Sequence, residues 1–145
     1  MMIVTIKVVE EKIKMNRVVE ELKKTGTFFV STIDGDQPRV RPFSSITEFE
    51  GRLYICTNST KNCFKQMMDN NKVEICGMNK DGSWVRVTGK VVRDERMEAK
   101  KAMLEDPTGP SQFYKLGDEI FEVLRVDDVV CTKYSFTEAP KVIEE

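Results

Sequence analysis

Histidine is absent from this chain. Its absence closes off Ser-His and Cys-His nucleophilic catalysis, histidine metal sites and proximal-histidine haem ligation. Any chemistry has to come from carboxylates, lysine, tyrosine, cysteine or a bound cofactor. No hydrophobic run approaches the ~20 apolar residues that span a bilayer. The opening MMIVTIKVVEEKIK turns charged within ten residues and offers no small-residue cleavage site. No signal peptide is read there, and a cytoplasmic location is expected. Close cysteine pairs are missing too: Cys56, Cys63, Cys76 and Cys131 form no C-x-x-C. Without histidine to complete a set, no metal site is expected, and the cysteines read as free, reduced, mostly buried thiols. Neither sign of charge prevails: 23 Lys+Arg stand against 24 Asp+Glu, a net −1. The molecule as a whole is not built to grip nucleic acid or an anionic membrane. Locally the balance differs. Gln37 to Gln66 holds five basic residues against two acidic, and Leu116 to Glu145 three against eight. A local excess of that kind can serve one small anion.

What is present suits a single folded domain over 1–145. The 145 residues are 40% hydrophobic and 32% charged, enough to bury about two thirds of the unfolded surface. Val8 to Lys24 reads as a helix, with Val9, Ile13, Val18, Val19 and Leu22 at roughly helical spacing and Gly26 beyond its end. The period then falls to two. Thr27 to Ile33 is a strand, Asp34-Gly35 a hairpin turn, Pro38 to Thr47 a second strand and Arg52 to Cys56 a third. After a polar break at Thr57 to Thr60, Lys61 to Asn70 reads as a helix. Val73 to Met78 and Ser83 to Val92 are strands around Asp81-Gly82. Arg93 to Glu105 is an amphipathic helix. Ile120 to Val126 and Val129 to Phe136 read as a last hairpin around Asp127-Asp128. About seven strands with short connections imply antiparallel pairing, hence a mostly β fold: a closed or partly closed barrel with three helices.

Three segments could carry chemistry. In Tyr54 to Asn62 (YICTNSTKN) a strand ends, small polar residues follow, and a helix begins at a lysine. A helix start exposes unpaired N–H groups and partial positive charge, so hydroxyls and Lys61 beside it form a candidate phosphate seat. The same residue types also serve as simple N-caps, and the local pattern alone favours the cap. In Pro38 to Ser45 (PRVRPFSS), alternation puts Arg39, Arg41 and Phe43 on one side and Val40, Pro42 and Ser44 on the other. Pro42 cannot donate to a ladder, which marks an edge or opening. There the free backbone can pair with a planar heterocycle and Arg41 with a phosphate; exposed arginines on an edge strand account for the pattern equally. In Ser83 to Val91 (SWVRVTGKV), Val85, Val87 and Val91 share the core face, which leaves Trp84 on the opposite one beside Arg86 and Thr88. An interface or stacking role and a core role at the strand start both fit the only tryptophan.

In order and spacing, the R-P-F stretch after a D-G turn, L-Y-x-C-T-N-x-x-K-N, V-E-I and W-V-R-V-T-G-K resemble the FMN-binding split barrel of the pyridoxamine 5′-phosphate oxidase superfamily. The small general-stress-protein-like members are the nearest likeness, and it runs from Phe28 to about Phe136. The resemblance implies flavin mononucleotide (FMN) as cofactor. Arg41, Pro42, Phe43 and Ser44 would line its ring and ribityl chain, and Thr57, Asn58, Lys61 and Asn62 would hold its phosphate. It also implies a homodimer with flavin at the subunit interface, where Trp84 reaches the partner's flavin. Two departures count. The vitamin B6 oxidases carry a longer C-terminus with an Arg-x-His element, and this chain has no histidine, so it is not expected to be a pyridoxamine 5′-phosphate oxidase. The phosphate segment has one basic residue where the oxidase has two, which implies modest flavin affinity. The expected function is an FMN-dependent oxidoreductase of unknown substrate and unassigned catalytic residues. Flavin storage or electron carriage, and a split barrel using the deazaflavin F420, are the alternatives. A pocket lined by the Phe113-Tyr114 region would favour an enzyme.

Overall fold

The computed structural model describes residues 16–145. The first helix among the described residues, α1 (Arg17–Thr25), begins where Asn16 accepts hydrogen bonds on Oδ1 from the Val18 and Val19 N–H groups at 2.9 and 3.2 Å. It ends at Gly26, whose φ of 73° is open to glycine without strain. Val18, Val19 and Leu22 face the core. The part of the expected helix before Asn16 lies outside the described residues.

Eight strands follow: β1 (Phe28–Asp34), β2 (Gln37–Phe43), β3 (Ile46–Phe49), β4 (Arg52–Asn58), β5 (Lys72–Met78), β6 (Trp84–Asp94), β7 (Phe121–Tyr134) and β8 (Lys141–Ile143). Helix α2 (Asn62–Asp69) joins β4 to β5, and α3 (Met97–Glu105) follows β6. All pairings are antiparallel, as the short connections require. The order across the sheet is β2-β1-β5-β6-β7-β4-β3, with β8 added on β7.

That order explains the shape. Strands β2 and β3 are the two ends of the path, yet only Ser44 and Ser45 separate them in sequence. A flat sheet of this width cannot be crossed by two residues, so the sheet curls until its edges meet. The result is a split barrel, open along the seam where β2 hands over to β3. The sequence suggests one strand from Pro38 to Thr47. The chain instead breaks at the seam, where Thr108 intervenes: its carbonyl accepts from Ser45 Oγ at 2.7 Å and its hydroxyl accepts from the Ile46 N–H at 2.9 Å. Pro42 sits on edge strand β2, where its missing N–H costs nothing.

The expected last hairpin is a single strand. β7 runs unbroken through Asp127-Asp128 and pairs with β6 along its length. Thr88 pairs with Val130 and Lys90 with Asp127, so Asp128 and Val129 together face Gly89. This is a β-bulge, with Asp128 at a φ of 52°. The bulge adds one residue to β7 and keeps the ladder on both sides of it.

Among the described residues, two apolar clusters form the core. Phe28, Val30, Leu53, Ile55, Ile75, Val87, Leu124 and Val126 fill the barrel, closed by α1 and α2. Tyr54, Cys56, Phe121 and Val123 face the other way, under Ala99 and Met103 of α3. Strand β4 is therefore covered on both sides, which is why Leu53 to Asn58 are all buried. Each large side chain so buried contributes roughly 1.5–3 kcal/mol. Helix α3 starts later than the pattern suggests, because Arg93 and Asp94 still belong to β6. No helix of the described residues is long and apolar enough to cross a membrane.

Candidate functional site

A groove of about 450 Å³ lies along the seam. Its wall is built by Arg41 to Ser45 from the seam itself, Cys56 and Thr57 from the end of β4, Lys61 and Cys63 from the start of α2, and Pro110, Phe113 and Tyr114 from the loop after α3. That volume falls in the usual range for small-ligand sites.

One end of the groove is electropositive. Strand β4 runs to Asn58, so the expected polar break is only a tight turn, closed by the Lys61 N–H donating to the Asn58 carbonyl at 3.2 Å. Lys61 is the N-cap residue of α2 and provides no side-chain cap to it. The first N–H groups of the helix are thus left for another acceptor. Beside them, Thr57 Oγ1 and Cys63 Sγ lie 3.3 Å apart and clamp strand end to helix start. Lys61 is exposed and lines the groove. Among the lining residues there is no carboxylate.

The seam supplies the long wall. Alternation is as the sequence suggests: Arg41 and Phe43 turn inward, Pro42 and Ser44 outward. Phe43 packs on Phe28 with ring centres 6.2 Å apart. Arg41 is committed internally. Its guanidinium donates to the Val30 carbonyl at 3.1 Å, to Thr32 Oγ1 at 2.8 Å and to Gln66 Oε1 at 2.9 Å. Its charge therefore stays at the groove while its geometry ties β2 to β1 and α2.

The opposite lip is aromatic. The loop after α3 is pinned by Thr108 at the seam and by the Phe113 and Tyr114 N–H groups donating to the Pro110 carbonyl at 2.9 and 3.1 Å. Tyr114 stacks on Phe121 at 5.1 Å. Phe113 remains 78% exposed.

Of the residues singled out from the sequence, Arg41, Pro42, Phe43, Ser44, Thr57 and Lys61 share this groove. Asn58, Asn62 and Trp84 do not line it. Asn58 is buried behind the wall: its Oδ1 accepts from the Thr60 N–H at 3.0 Å, and its Nδ2 donates to Tyr114 Oη at 2.6 Å. Asn62 is exposed as the first residue of α2. Trp84 lies half-buried on the outer face of the sheet. It stacks on Tyr134 at 5.7 Å and meets Phe136 at 5.1 Å. Sequence reasoning did not single out Ser45, Cys56, Cys63 and Pro110 as wall residues. The signal available was the D-P-T-G-P run, whose turn residues bring a loop back to the seam. Burial pushes the Cys56 thiol up to about 12, offset in part by Ser45 and Lys61. The thiol is therefore protonated at neutral pH.

Comparison with known proteins places this geometry in a family. Residues 15–124 match the pyridoxamine 5′-phosphate oxidase family. The chain belongs to that family. A solved NimC/NimA family protein from Clostridium acetobutylicum is 46% identical, with a TM-score of 0.86 over 90% of this chain and 92% of that one. A general stress protein 26-related protein of the pyridoxinephosphate oxidase family, also from Clostridium acetobutylicum, is 13% identical, with a TM-score of 0.69 over 88% and 92%. A pyridoxamine 5′-phosphate oxidase-related, FMN binding protein from Nostoc punctiforme is 13% identical, with a TM-score of 0.60 over 90% and 92%. The last two likenesses show the fold alone. No curated protein matches the chain.

Proposed function

We propose that this protein binds FMN in the seam groove and acts as a flavin-dependent oxidoreductase. The observation that carries the reading is the groove's polarity: Lys61 and free helix N–H groups at one end, the Pro42–Ser45 backbone along the side, an aromatic lip opposite, and no carboxylate in the wall. A flat heterocycle with a phosphate tail matches that donor set. Lys61, the Thr57 hydroxyl and the N–H groups of Asn62 and Cys63 would hold the phosphate. Pro42, Phe43 and Ser44 would meet the ring edge through their backbone. Asn58 would act indirectly, by holding the turn and Tyr114. When bound, the flavin supplies the redox chemistry, while the protein orients it and sets its electrostatics.

Membership of the family and the FMN-binding description of a fold neighbour support the choice of cofactor. The position of Phe113 and Tyr114 in the wall favours an enzyme over a flavin store or carrier. With no histidine in the chain, the vitamin B6 oxidase reaction is not proposed.

A homodimer completes the reading. Trp84 does not line the groove of its own chain, but it sits beside exposed Met78 and Phe136 on the outer face, with exposed Val130 and Val142 further along that face past Arg86. Such an apolar face marks an association surface, and a second copy seated there would bring its flavin to Trp84.

The test compares FMN with riboflavin, which lacks the phosphate. Lys61→Ala should weaken FMN about tenfold or more, the loss of one charge-assisted bond, and leave riboflavin unchanged. Equal effects on both would remove Lys61 from the phosphate.

A further inference from the structure

The Asn58–Tyr114 contact has a fixed direction. Asn58 Oδ1 accepts from the Thr60 backbone N–H at 3.0 Å, and a backbone N–H can only donate. The other end of the amide is therefore its NH₂, and this donates to Tyr114 Oη at 2.6 Å. Tyr114 is held as an acceptor by a buried partner. Its own O–H proton finds no acceptor among the described residues, and the side chain lines the groove. A phenol so arranged is a directed donor awaiting an acceptor on a ligand.

Its surroundings narrow the ligand. Phe113, next in the chain and 78% exposed, offers an apolar ring face on the same lip. The other hydroxyls of the wall differ in kind. Ser45 Oγ donates to the Thr108 carbonyl and Thr57 Oγ1 is engaged with Cys63 Sγ, while exposed Ser44 belongs to the seam wall opposite. A flat molecule that carries an acceptor oxygen can stack on Phe113 and bond to Tyr114 at once.

We propose that Tyr114 is the substrate-selecting hydrogen-bond donor of this site, and that Phe113 and Tyr114 together select flat conjugated carbonyl compounds of the quinone class. Asn58 is the positioning residue that aims Tyr114. The proposal rests on the flavin reading above.

The experiment uses the FMN-loaded, oxidised protein and measures binding rather than turnover. The probes are menadione and 2-methylnaphthalene, which has the same rings without the carbonyl oxygens. Binding is followed by the change in the flavin's visible spectrum. Tyr114→Phe should weaken menadione about tenfold, leave 2-methylnaphthalene unchanged, and leave FMN affinity unchanged. Asn58→Leu should weaken menadione in the same direction. Wild-type protein that loads FMN but does not bind menadione overturns the quinone class. Equal menadione affinity in wild type and Tyr114→Phe overturns the role of Tyr114. Loss of FMN itself in Tyr114→Phe overturns it too, by assigning the phenol to the cofactor. Wild-type protein that never takes up FMN defeats the flavin reading instead, so the two failures are told apart.

Discussion

At the scale of single residues, the structure separates side chains that face the groove from those that hold such side chains in place. Lys61 and Asn58 stand three apart in one motif, and both read as phosphate contacts from sequence. Only Lys61 faces the groove; Asn58 is spent on Thr60 and Tyr114. Spacing shows which residues are near one another, but the direction of a buried amide depends on a loop more than fifty residues away. The same limit applies to Asp94. Its hydrogen bonds from Arg96 and from Tyr54 Oη at 2.7 Å lower its carboxyl to about 2, against burial that opposes the charge. A depressed carboxylate stabilises the fold above its unfolded pKa of about 4 and loses that contribution as pH falls toward 2. Folding stability should therefore drop by on the order of 2 kcal/mol across that window. Urea midpoints measured from pH 5 to pH 2 check this. Asp94→Asn should start lower and show a flatter acid limb; an unchanged slope would remove Asp94 from the account.

At the scale of elements, strand and helix types were legible in most of the described chain, because period-two alternation and glycine turns are local signals. Where two elements met through distant contacts, local signals failed. Asp127-Asp128 looks like a hairpin turn, but β6 pairs with both sides of it and turns the signal into a bulge. Pro38 to Thr47 looks like one strand, but Thr108 divides it. The bulge explains Gly89. A Cβ there would lie 2.5 Å from Val126 Cγ1 and 2.9 Å from the Asp127 carbonyl. Overpacking of this kind costs about 1–3 kcal/mol. Gly89→Ala should lower the melting temperature by several degrees, whereas Thr88→Ala, exposed and next to it, should stay within about 0.5 kcal/mol of wild type. Equal melting temperatures for the two variants would show that the bulge yields without cost.

At the scale of the whole molecule, sheet order rather than any one motif creates the site. Joining the two sheet edges through Ser44-Ser45 places Arg41–Ser45 beside Thr57–Lys61, although the segments read separately as an edge strand and a helix cap. The short connections pointed to a closed or partly closed barrel and Pro42 to an edge or opening, but only the resemblance joined the two segments in one site. The outer face exposes Met78 and Phe136 beside Trp84, and a dimer formed there should give about twice the 16.7 kDa chain mass in light scattering. Trp84→Ala should shift that mass toward the monomer as concentration falls. A wild-type monomer at high micromolar concentration would contradict the dimer while leaving the groove intact.

The most direct test of the central claim is the visible absorption spectrum of the purified wild-type protein after incubation with excess FMN and removal of the unbound cofactor. Retained near-ultraviolet and blue bands of oxidised flavin, at one FMN per chain, are the predicted result. A protein that emerges colourless, or that retains the single band of a deazaflavin in place of FMN, would contradict it.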